Sequence, residues 1–493
     1  MRKLLLIGML ASTLICSAAP KLTVFVIVDG LDMQSMQDMQ PYWQPGGLRT
    51  LTEEAYQAPV MFPQHVYGGD ETTATILTGQ TPFYHNYQND SYFRRSDRKA
   101  HLMLFDERQT GIHSKELLSP AALGCAMLAD RHSLSEGPQA KIYAIGVNPL
   151  TTVLLAGHAA NACCWIEQEG WGSTTYYPEG LPSPADQMNS KGGFAETAKR
   201  VWSNRMDMSS YLRPTAQEKK KNAFSYDCSK DLRHSPAANS LVVNLALEMQ
   251  KAEKLGQRGQ HDLLLLNLTV LSPKTTSARI ASAEQEDMYL NLNQDLGYLK
   301  EQLERRISKA DLQIVLVGKP CYGYEAQELQ RAGLSTVSFN IDRAAALVGT
   351  YLMAMYGHER WVDGGFGNSI YLNRTLIEQK KLSISTIRRQ VADFLEEMEG
   401  VQRAFPITDI PLLQGDGEVA KLRNSTGRYA GDVVLMLTQG TTLMLNDKQT
   451  TDHVLAEEPT VPLFIWSGAY RTFPDIPTPI PATEILKLLN LEP

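Results

Sequence analysis

The sequence predicts an α/β protein in which a central, mostly parallel sheet is sandwiched by helices. Two observations lead to this prediction. Several short runs are apolar throughout and end in polar or turn residues, as strands buried on both faces of a sheet do. Between them, apolar residues recur every three or four positions, which is the spacing of a helix with one buried face. Strands alternating with helices indicate a parallel sheet covered on both sides.

Five runs are predicted as strands of this sheet. The first, KLTVFVIVDG at 21–30, is rich in Val and Ile and ends in Asp-Gly. Four later runs share this character and are read in the same way: 261–271, 312–320, 432–440 and 461–468.

Helices are predicted between these strands. One apolar stripe runs from Tyr289 to Ile307, and two more helices are expected at 342–357 and 383–400. In the last of these, Ile387, Val391 and Leu395 fall on one face.

The chain divides into an export signal and one large domain with additions. Residues 1–19 combine Arg2 and Lys3 with a short apolar run and small residues, the pattern of a secretory signal peptide. The remaining range, 20–493, is predicted as a single domain. A polar, Gly-rich stretch at about 95–235 is expected to form an insertion over one end of the sheet, and about 335–425 a smaller subdomain.

Composition excludes some classes of partner. The net charge of -7, from 47 Lys and Arg against 54 Asp and Glu, argues against nucleic acid. After the signal segment, no run is long and apolar enough to predict a membrane-spanning helix. The oligomeric state is left open.

Ligands of parallel α/β folds bind beyond the carboxyl ends of the strands, so the residues that follow each run are the candidates for chemistry. Asp29 follows the first run and is a plausible metal ligand. The run at 261–271 is followed by hydroxyls and one lysine, and the run at 312–320 ends in Lys319 and Pro320. These ends supply one carboxylate, which is too few for a metal site.

Four motifs stand out along the chain: VIVDG at 26–30, ATILTGQTPFYHN at 74–86, NDSYFRR at 89–95 and LLAGHAANACCW at 154–165. They resemble motifs of the alkaline phosphatase superfamily. The resemblance is strongest to phosphate-irrepressible alkaline phosphatases, which are related to type I phosphodiesterases and nucleotide pyrophosphatases. The motifs occur in the family's order over nearly the whole mature chain, which implies the family's fold.

The resemblance also implies which residues should bind metal. Family members hold two zinc ions with six Asp and His side chains. Asp29 matches the first ligand, whereas the other five ligand positions fall, by counting along the motifs, on Ser272, Thr276, Lys319, Pro320 and Leu443. The family's metals are therefore not expected in this chain, and no other cofactor is predicted.

The catalytic positions carried over from the family are altered in the same way. The nucleophilic threonine falls on Gly69, and two basic residues that bind phosphate oxygens fall on Asn148 and Leu150. Asn89 matches a phosphate-contacting asparagine. An asparagine alone cannot cleave a phosphate ester.

The prediction is an exported, catalytically inactive relative that acts as a binding or scaffold component of the cell envelope. Its expected partner is another envelope protein or a glycan, and its expected location is the periplasm or the periphery of an envelope complex. His158 is expected to have a structural role.

Two alternatives remain open. An active phosphatase or phosphodiesterase would need Thr72 or Thr73 as nucleophile, or a metal site rebuilt from Asp29, His65, Asp70 and Glu71. In the other alternative, the protein is a sensor that binds an anion such as phosphate through Lys319 and Asn89.

Overall fold

The architecture is taken from a computed structural model that describes residues 19–275, 280, 282–320, 326–331, 333–445, 448–453, 460–469 and 478–490. The predicted signal peptide, apart from its last residue, lies outside the described residues.

The strands are numbered in chain order. They are β1 (Leu22–Asp29), β2 (Tyr56–Met61), β3 (Ser91–Arg94), β4 (Lys99–Leu102), β5 (Gly111–Ile112), β6 (Ile142–Gly146), β7 (Ala162–Ile166), β8 (Trp171–Thr174), β9 (Val201–Ser203), β10 (Ser225–Asp227), β11 (Asp262–Thr269), β12 (Leu312–Lys319), β13 (Val337–Asn340), β14 (Val362–Phe366), β15 (Ser369–Leu372), β16 (Val401–Pro406), β17 (Val433–Leu437), β18 (Thr441–Leu445), β19 (Lys448–His453), β20 (Val461–Ser467) and β21 (Ile480–Pro481).

The α-helices are numbered in the same way. They are α1 (Met33–Met39), α2 (Gly47–Glu54), α3 (Glu71–Thr78), α4 (Pro82–His85), α5 (Leu128–Glu136), α6 (Pro149–Ala156), α7 (Ser183–Ser190), α8 (Gly193–Ala198), α9 (Ala216–Lys221), α10 (Pro236–Glu253), α11 (Ala283–Glu304), α12 (Ala326–Arg331), α13 (Ile341–Tyr356), α14 (Arg374–Gln379), α15 (Ile384–Glu396), α16 (Glu418–Ser425) and α17 (Ile485–Leu488).

The predicted central sheet is confirmed. Its strand order is β21-β2-β20-β12-β1-β11-β6-β7-β8-β5. Strand β1 lies in the middle and pairs in parallel with both β11 and β12. The run predicted at 461–468 joins this sheet as β20, but it pairs antiparallel to β12 and β2.

The apolar character of β1 follows from burial on both faces. All eight of its residues are buried. Val24, Val26 and Val28 pack into one hydrophobic cluster, while Phe25 and Ile27 pack into the cluster on the opposite face. Alternate side chains of a strand point to opposite faces, so both faces of this strand need apolar residues.

The predicted helices are also present as α11, α13 and α15. In α15, the predicted stripe of Ile387, Val391 and Leu395 is buried. It packs in a separate hydrophobic cluster with residues of α13 and of the small sheet β14-β15-β17-β16.

The sheets that some strands join differ from the sequence-based expectation. Within 95–235, strands β5 to β8 extend the central sheet, so this range is not simply an insertion over the end of the sheet. The run at 432–440 forms β17 in the small antiparallel sheet. The smaller subdomain extends past residue 425, since β17, β18 and β19 complete its two small sheets.

Candidate functional site

A buried lysine lies at the carboxyl end of the central sheet. Asp29 ends β1 and Lys319 ends β12, and the two residues are register partners on adjacent strands. Asp70 immediately precedes α3. These strand ends and the start of this helix bring together two carboxylates and one ammonium group.

Lys319 lies close to groups from three different elements. Its Nζ donates to Asp70 Oδ1 at 2.7 Å and to Thr151 Oγ1 of α6 at 3.1 Å. Asp29 Oδ1 is 3.4 Å from the same nitrogen. The Lys319 side chain is only 3% exposed, so its charge is compensated inside the protein.

Asp70 is the acceptor that organises this cluster. Its Oδ1 also accepts hydrogen bonds from Thr151 Oγ1 at 2.6 Å and from Thr73 Oγ1 at 2.9 Å. We refer to Asp29, Asp70, Thr73, Thr151 and Lys319 as the lysine centre.

Two further carboxylates lie beside the lysine centre. Asp90 Oδ1 accepts from the Asp70 backbone N–H at 2.9 Å and from the Tyr87 hydroxyl at 3.0 Å. Glu71 Oε1 accepts from the Tyr67 backbone N–H at 2.8 Å. The partly buried Asp90 and the buried Glu71 thus add two carboxyl groups next to the ion pairs of Lys319 with Asp29 and Asp70.

Burial changes the protonation of these acids. Loss of hydration, followed by the negative charge of Asp90, raises the pKa of Glu71 to about 8. Burial, with the charge of Asp70 as the next cause, raises the pKa of Asp90 to about 6, and burial also raises the pKa of Asp29. Glu71 therefore keeps its proton at neutral pH, which relieves the excess of negative charge.

Gly69, the predicted nucleophile position, lies against these acids. A Cβ atom at this residue would lie 2.8 Å from Glu71 Oε2 and 3.2 Å from Asp90 Oδ1. The first distance is shorter than a normal contact, so a threonine here would have to displace the Glu71 carboxyl group. The space in which a hydroxyl would project is taken by acid side chains.

The fallback nucleophiles Thr72 and Thr73 are both fully buried in α3. Thr72 Oγ1 lies 3.4 Å from the Gly69 carbonyl oxygen, and Thr73 donates to Asp70. Neither hydroxyl is accessible to a substrate in this structure.

The two positions predicted to have lost basic residues have local structural roles. Asn148 caps α6, where its Oδ1 accepts from the Leu150 backbone N–H at 2.9 Å. The Leu150 side chain packs against the hydrophobic core. Neither residue provides a positive charge for phosphate.

The other altered ligand positions carry no carboxylate or imidazole. Ser272 is buried and hydrogen-bonds with Thr275, Pro320 is buried, and Leu443 lies in β18 of a small sheet. Thr276 lies outside the described residues.

The histidines named in the sequence analysis also lie elsewhere. His65 Nδ1 is 3.8 Å from Glu418 Oε2 of α16, and burial lowers the pKa of His65 to about 4. His158 Nδ1 lies 2.8 Å from Asp130 Oδ2, as expected for a structural histidine. The rebuilt metal site of Asp29, His65, Asp70 and Glu71 does not form, because His65 is directed towards the subdomain.

Asn89 borders a small pocket beside the lysine centre. The pocket has a volume of about 60 Å³, and Tyr67, Tyr92, Tyr371 and Leu443 also line it. Its walls combine aromatic rings with neutral polar side chains, and Lys319 is not among the lining residues. Lys319 and Asn89, which the anion hypothesis combines, therefore do not line this pocket together.

The family's zinc ions do not fit these side chains. The Lys319 ammonium already lies between the two carboxylates nearest to it, and a fixed positive charge opposes a divalent cation. Across the described ranges, no group of three or more His, Cys, Asp or Glu residues is arranged to hold a metal ion.

Sequence reasoning missed Thr151, Asp90 and Tyr87. Thr151 directly follows the altered position Leu150, and Asp90 directly follows Asn89 in the NDSY motif. This proximity is the signal that could have identified them as members of the same site.

The fold and the site can be compared with known proteins. No protein-family model matches the sequence. The crystal structure of wild-type alkaline phosphatase PafA superposes with a TM-score of 0.82 at 19% identity, covering 96% of each chain. The protein thus has the alkaline phosphatase-like α/β fold.

Two curated relatives agree with this assignment. Alkaline phosphatase PhoV of Synechococcus elongatus is 22% identical over 86% of this chain and 81% of its own. Alkaline phosphatase PafA of Elizabethkingia meningoseptica is 21% identical over 88% of this chain and 84% of its own. The chain is thus similar over most of its length to two alkaline phosphatases. Among the described helices, none has the length and apolarity that a membrane crossing requires.

Proposed function

We propose that this protein is an exported, catalytically inactive member of the alkaline phosphatase superfamily that acts as a binding or scaffold component of the cell envelope. The observation that carries the proposal is the ion pair of Lys319 with Asp70 and Asp29. An internal lysine replaces divalent cations as the counter-charge for the strand-end carboxylate.

Several losses coincide and support inactivity. Metal-assisted phosphoryl transfer needs ions that stabilise the attacking and leaving oxygens, and a nucleophile in line with them. Gly69 offers no hydroxyl, Thr72 and Thr73 are buried, and Lys319 opposes metal binding. Losing even one member of a catalytic unit typically costs orders of magnitude in rate.

The geometry favours this proposal over an anion sensor. Lys319 is enclosed by carboxyl groups, so a phosphate would meet negative charge before it reached the ammonium group. Export through the signal-like segment and a place in the periplasm or at an envelope complex are parts of the proposal. They rest on the sequence of residues 1–19.

The proposal is tested by measuring metal content and turnover together. Mature protein is refolded with excess zinc, desalted, and analysed by inductively coupled plasma mass spectrometry. The same sample is assayed with p-nitrophenyl phosphate and bis-p-nitrophenyl phosphate. We expect substoichiometric zinc and no turnover above the buffer blank.

Asp29→Asn is the matched control, because it removes the only predicted ligand while keeping the shape of the side chain. Stoichiometric zinc with turnover that Asp29→Asn abolishes would overturn the proposal. Turnover that persists unchanged in Asp29→Asn would identify a contaminating phosphatase and leave the proposal standing.

A further inference from the structure

An open groove of about 810 Å³ lies along α11, next to the start of α2 and the loop at Arg205 and Met206. It shares no lining residue with the lysine centre. The volume is within the range of pockets that bind small ligands, which is roughly 300–1,000 Å³. Its lining includes Tyr42, Gln44, Arg205, Gln294, Tyr298 and Lys300.

The wall formed by residues 44–49 is held firmly on α11. Asn293 Nδ2 donates to the Gln44 carbonyl at 3.0 Å, and Asn293 Oδ1 accepts from the Arg49 backbone N–H at 3.1 Å. Gly47 and Gly297 allow the backbones to touch, since a Cβ on Gly297 would lie 2.9 Å from Gly47 N. This side of the groove is therefore formed before any ligand binds.

The loop at Arg205 and Met206 forms another part of the lining and is also held on α11. The Arg205 backbone N–H donates to Asp287 Oδ1 at 2.9 Å, and Arg205 Nη1 donates to Asn291 Oδ1 at 2.7 Å. Both acceptors belong to α11. A preformed cavity loses less entropy on binding than one that must be ordered by its ligand.

The charges in the groove are compensated by their neighbours. Lys300 Nζ lies 2.6 Å from Glu304 Oε1, and Glu301 Oε1 lies 2.6 Å from Arg305 Nη2. Two lining cations, Arg205 and Lys300, thus oppose two lining anions, Glu301 and Glu304. The groove has no net charge to attract an anion or a cation.

The groups left for a ligand are neutral. The side chains of Gln44, Gln294, Tyr42 and Tyr298 make no hydrogen bond within the described part of the protein. Tyr298 is 46% exposed, whereas Tyr42 packs partly against the core. Two aromatic rings and two amides therefore line one neutral cleft.

We propose that this groove binds a neutral oligosaccharide. Sugar rings present apolar C–H faces that pack on aromatic side chains, and their hydroxyls both donate and accept, as amides and tyrosine hydroxyls do. A groove of about 810 Å³ that is open to solvent has room for a few sugar rings. The inference rests on the proposed binding role and deepens it by naming the class of partner.

The test is isothermal titration of the full mature chain with chitohexaose, cellohexaose and maltohexaose as probes. We expect at least one of the three to bind, and Tyr298→Ala to weaken that binding by roughly tenfold or more, as removal of an aromatic anchor does. Gln294→Ala should weaken the same binding to a smaller extent.

Tyr84→Ala is the matched control, because Tyr84 is a 66% exposed tyrosine of α4 outside the groove. It should bind like the wild type. Failure of all three sugars to bind would overturn the inference, as would equal binding by wild type and Tyr298→Ala. Tyr298-dependent binding of a casein peptide digest, with no sugar bound, would assign the groove to peptides and would also overturn it.

The zinc and turnover measurements distinguish this inference from the proposed function. Sugar binding together with zinc-dependent turnover would overturn inactivity and leave the groove assignment intact. Absence of turnover together with absence of sugar binding would overturn the groove assignment and leave the proposed inactivity intact.

Discussion

The lysine centre and a second buried ionic cluster in the smaller subdomain are opposites in charge. In the first, the Lys319 ammonium pairs with Asp29 and Asp70, and two more carboxyl groups, those of Glu71 and Asp90, lie beside them. In the second, Asp432 is fully buried and pairs with Arg95, Arg374 and Arg388. The lysine centre and its neighbours contain more acidic than basic groups, whereas the Asp432 cluster contains more basic than acidic groups.

The two clusters relieve their excess charge in different ways. Glu71 can take up a proton at neutral pH, because its pKa is raised to about 8. Arginine cannot lose its proton, so the extra guanidinium groups must reach water. Accordingly, the Arg95 and Arg374 side chains are 29% and 49% exposed. An excess of acid can be buried, whereas an excess of arginine must stay near the surface.

The pKa of Asp432 shifts in the opposite direction from the pKa of Glu71. Burial alone would raise its pKa, but the charge of Arg95, together with hydrogen bonds from Arg388, lowers the pKa below its ordinary value. Stability from this cluster should therefore vary little near neutral pH, unlike that from the lysine centre.

The largest expected effect is that of removing the cation from the lysine centre. Lys319→Met leaves Asp70 and Asp29 without their counter-charge, which typically costs about 3–5 kcal/mol for a buried pair. Urea unfolding followed by circular dichroism measures the loss. The double variant Lys319→Met with Asp70→Asn should recover part of it, and equal stability of wild type and Lys319→Met would contradict the assignment.

A smaller effect is expected for the pH dependence of stability. Glu71 has an ordinary pKa of 4.5, raised to about 8 in the folded protein. Between these values the unfolded chain releases its proton while the folded protein keeps it, so the free energy of unfolding falls as pH rises. Below the ordinary pKa of 4.5, the contribution of Glu71 to the free energy of unfolding is fully present.

Glu71→Gln cannot titrate, so it should lose less stability than wild type between about pH 5 and pH 9, with a difference of a few kcal/mol at about 1.4 kcal/mol per pKa unit. Urea unfolding at each pH gives the comparison. The exposed Glu399→Gln should follow the wild type. Parallel curves for wild type and Glu71→Gln would show that Glu71 is ionised in the folded protein.

Asp432→Asn should cost less than Lys319→Met, because two of the three released arginines can turn towards solvent. A loss of about 2 kcal/mol is expected from the removed charge-assisted hydrogen bonds. Asp363→Asn, which breaks a surface pair with Arg98, is the control and should cost under about 1 kcal/mol. A larger loss for Asp432→Asn than for Lys319→Met would reverse the comparison.

The smallest effect is expected from added phosphate. A site with a Kd of about 1 mM would add about 1.4 kcal/mol of stability at about 10 mM phosphate. Because Lys319 is enclosed by acids, we expect no rise in melting temperature beyond that in sodium chloride of equal ionic strength. A rise that Asn89→Asp abolishes would instead support the anion hypothesis.

The central part of the fold could be predicted from the sequence. The runs that form β1, β11 and β12 are apolar throughout, since both faces of these strands are buried. The run that forms β17 has the same character but belongs to a small antiparallel sheet. An apolar run indicates that a strand is buried, but it does not indicate which sheet the strand joins. The prediction that this strand joins the central sheet is therefore wrong.

Some residues of the site were predictable from the sequence, but their contacts were not. Lys319, Asp29 and Gly69 can be identified from their motif positions. The pairing of Lys319 with Asp70 joins residues 249 positions apart, and the role of Thr151 depends on how α6 packs beside α3. Such contacts arise from the packing of distant elements and leave no local pattern in the sequence.

The contact between Gly69 and Glu71 couples residue 69 to the lysine centre. A threonine at residue 69 would require the Glu71 carboxyl group to move, and removal of Lys319 would leave Asp70 and Asp29 without their counter-charge. A hydroxyl at residue 69 and a vacant cation position would therefore have to be introduced together with compensating changes at the neighbouring acids.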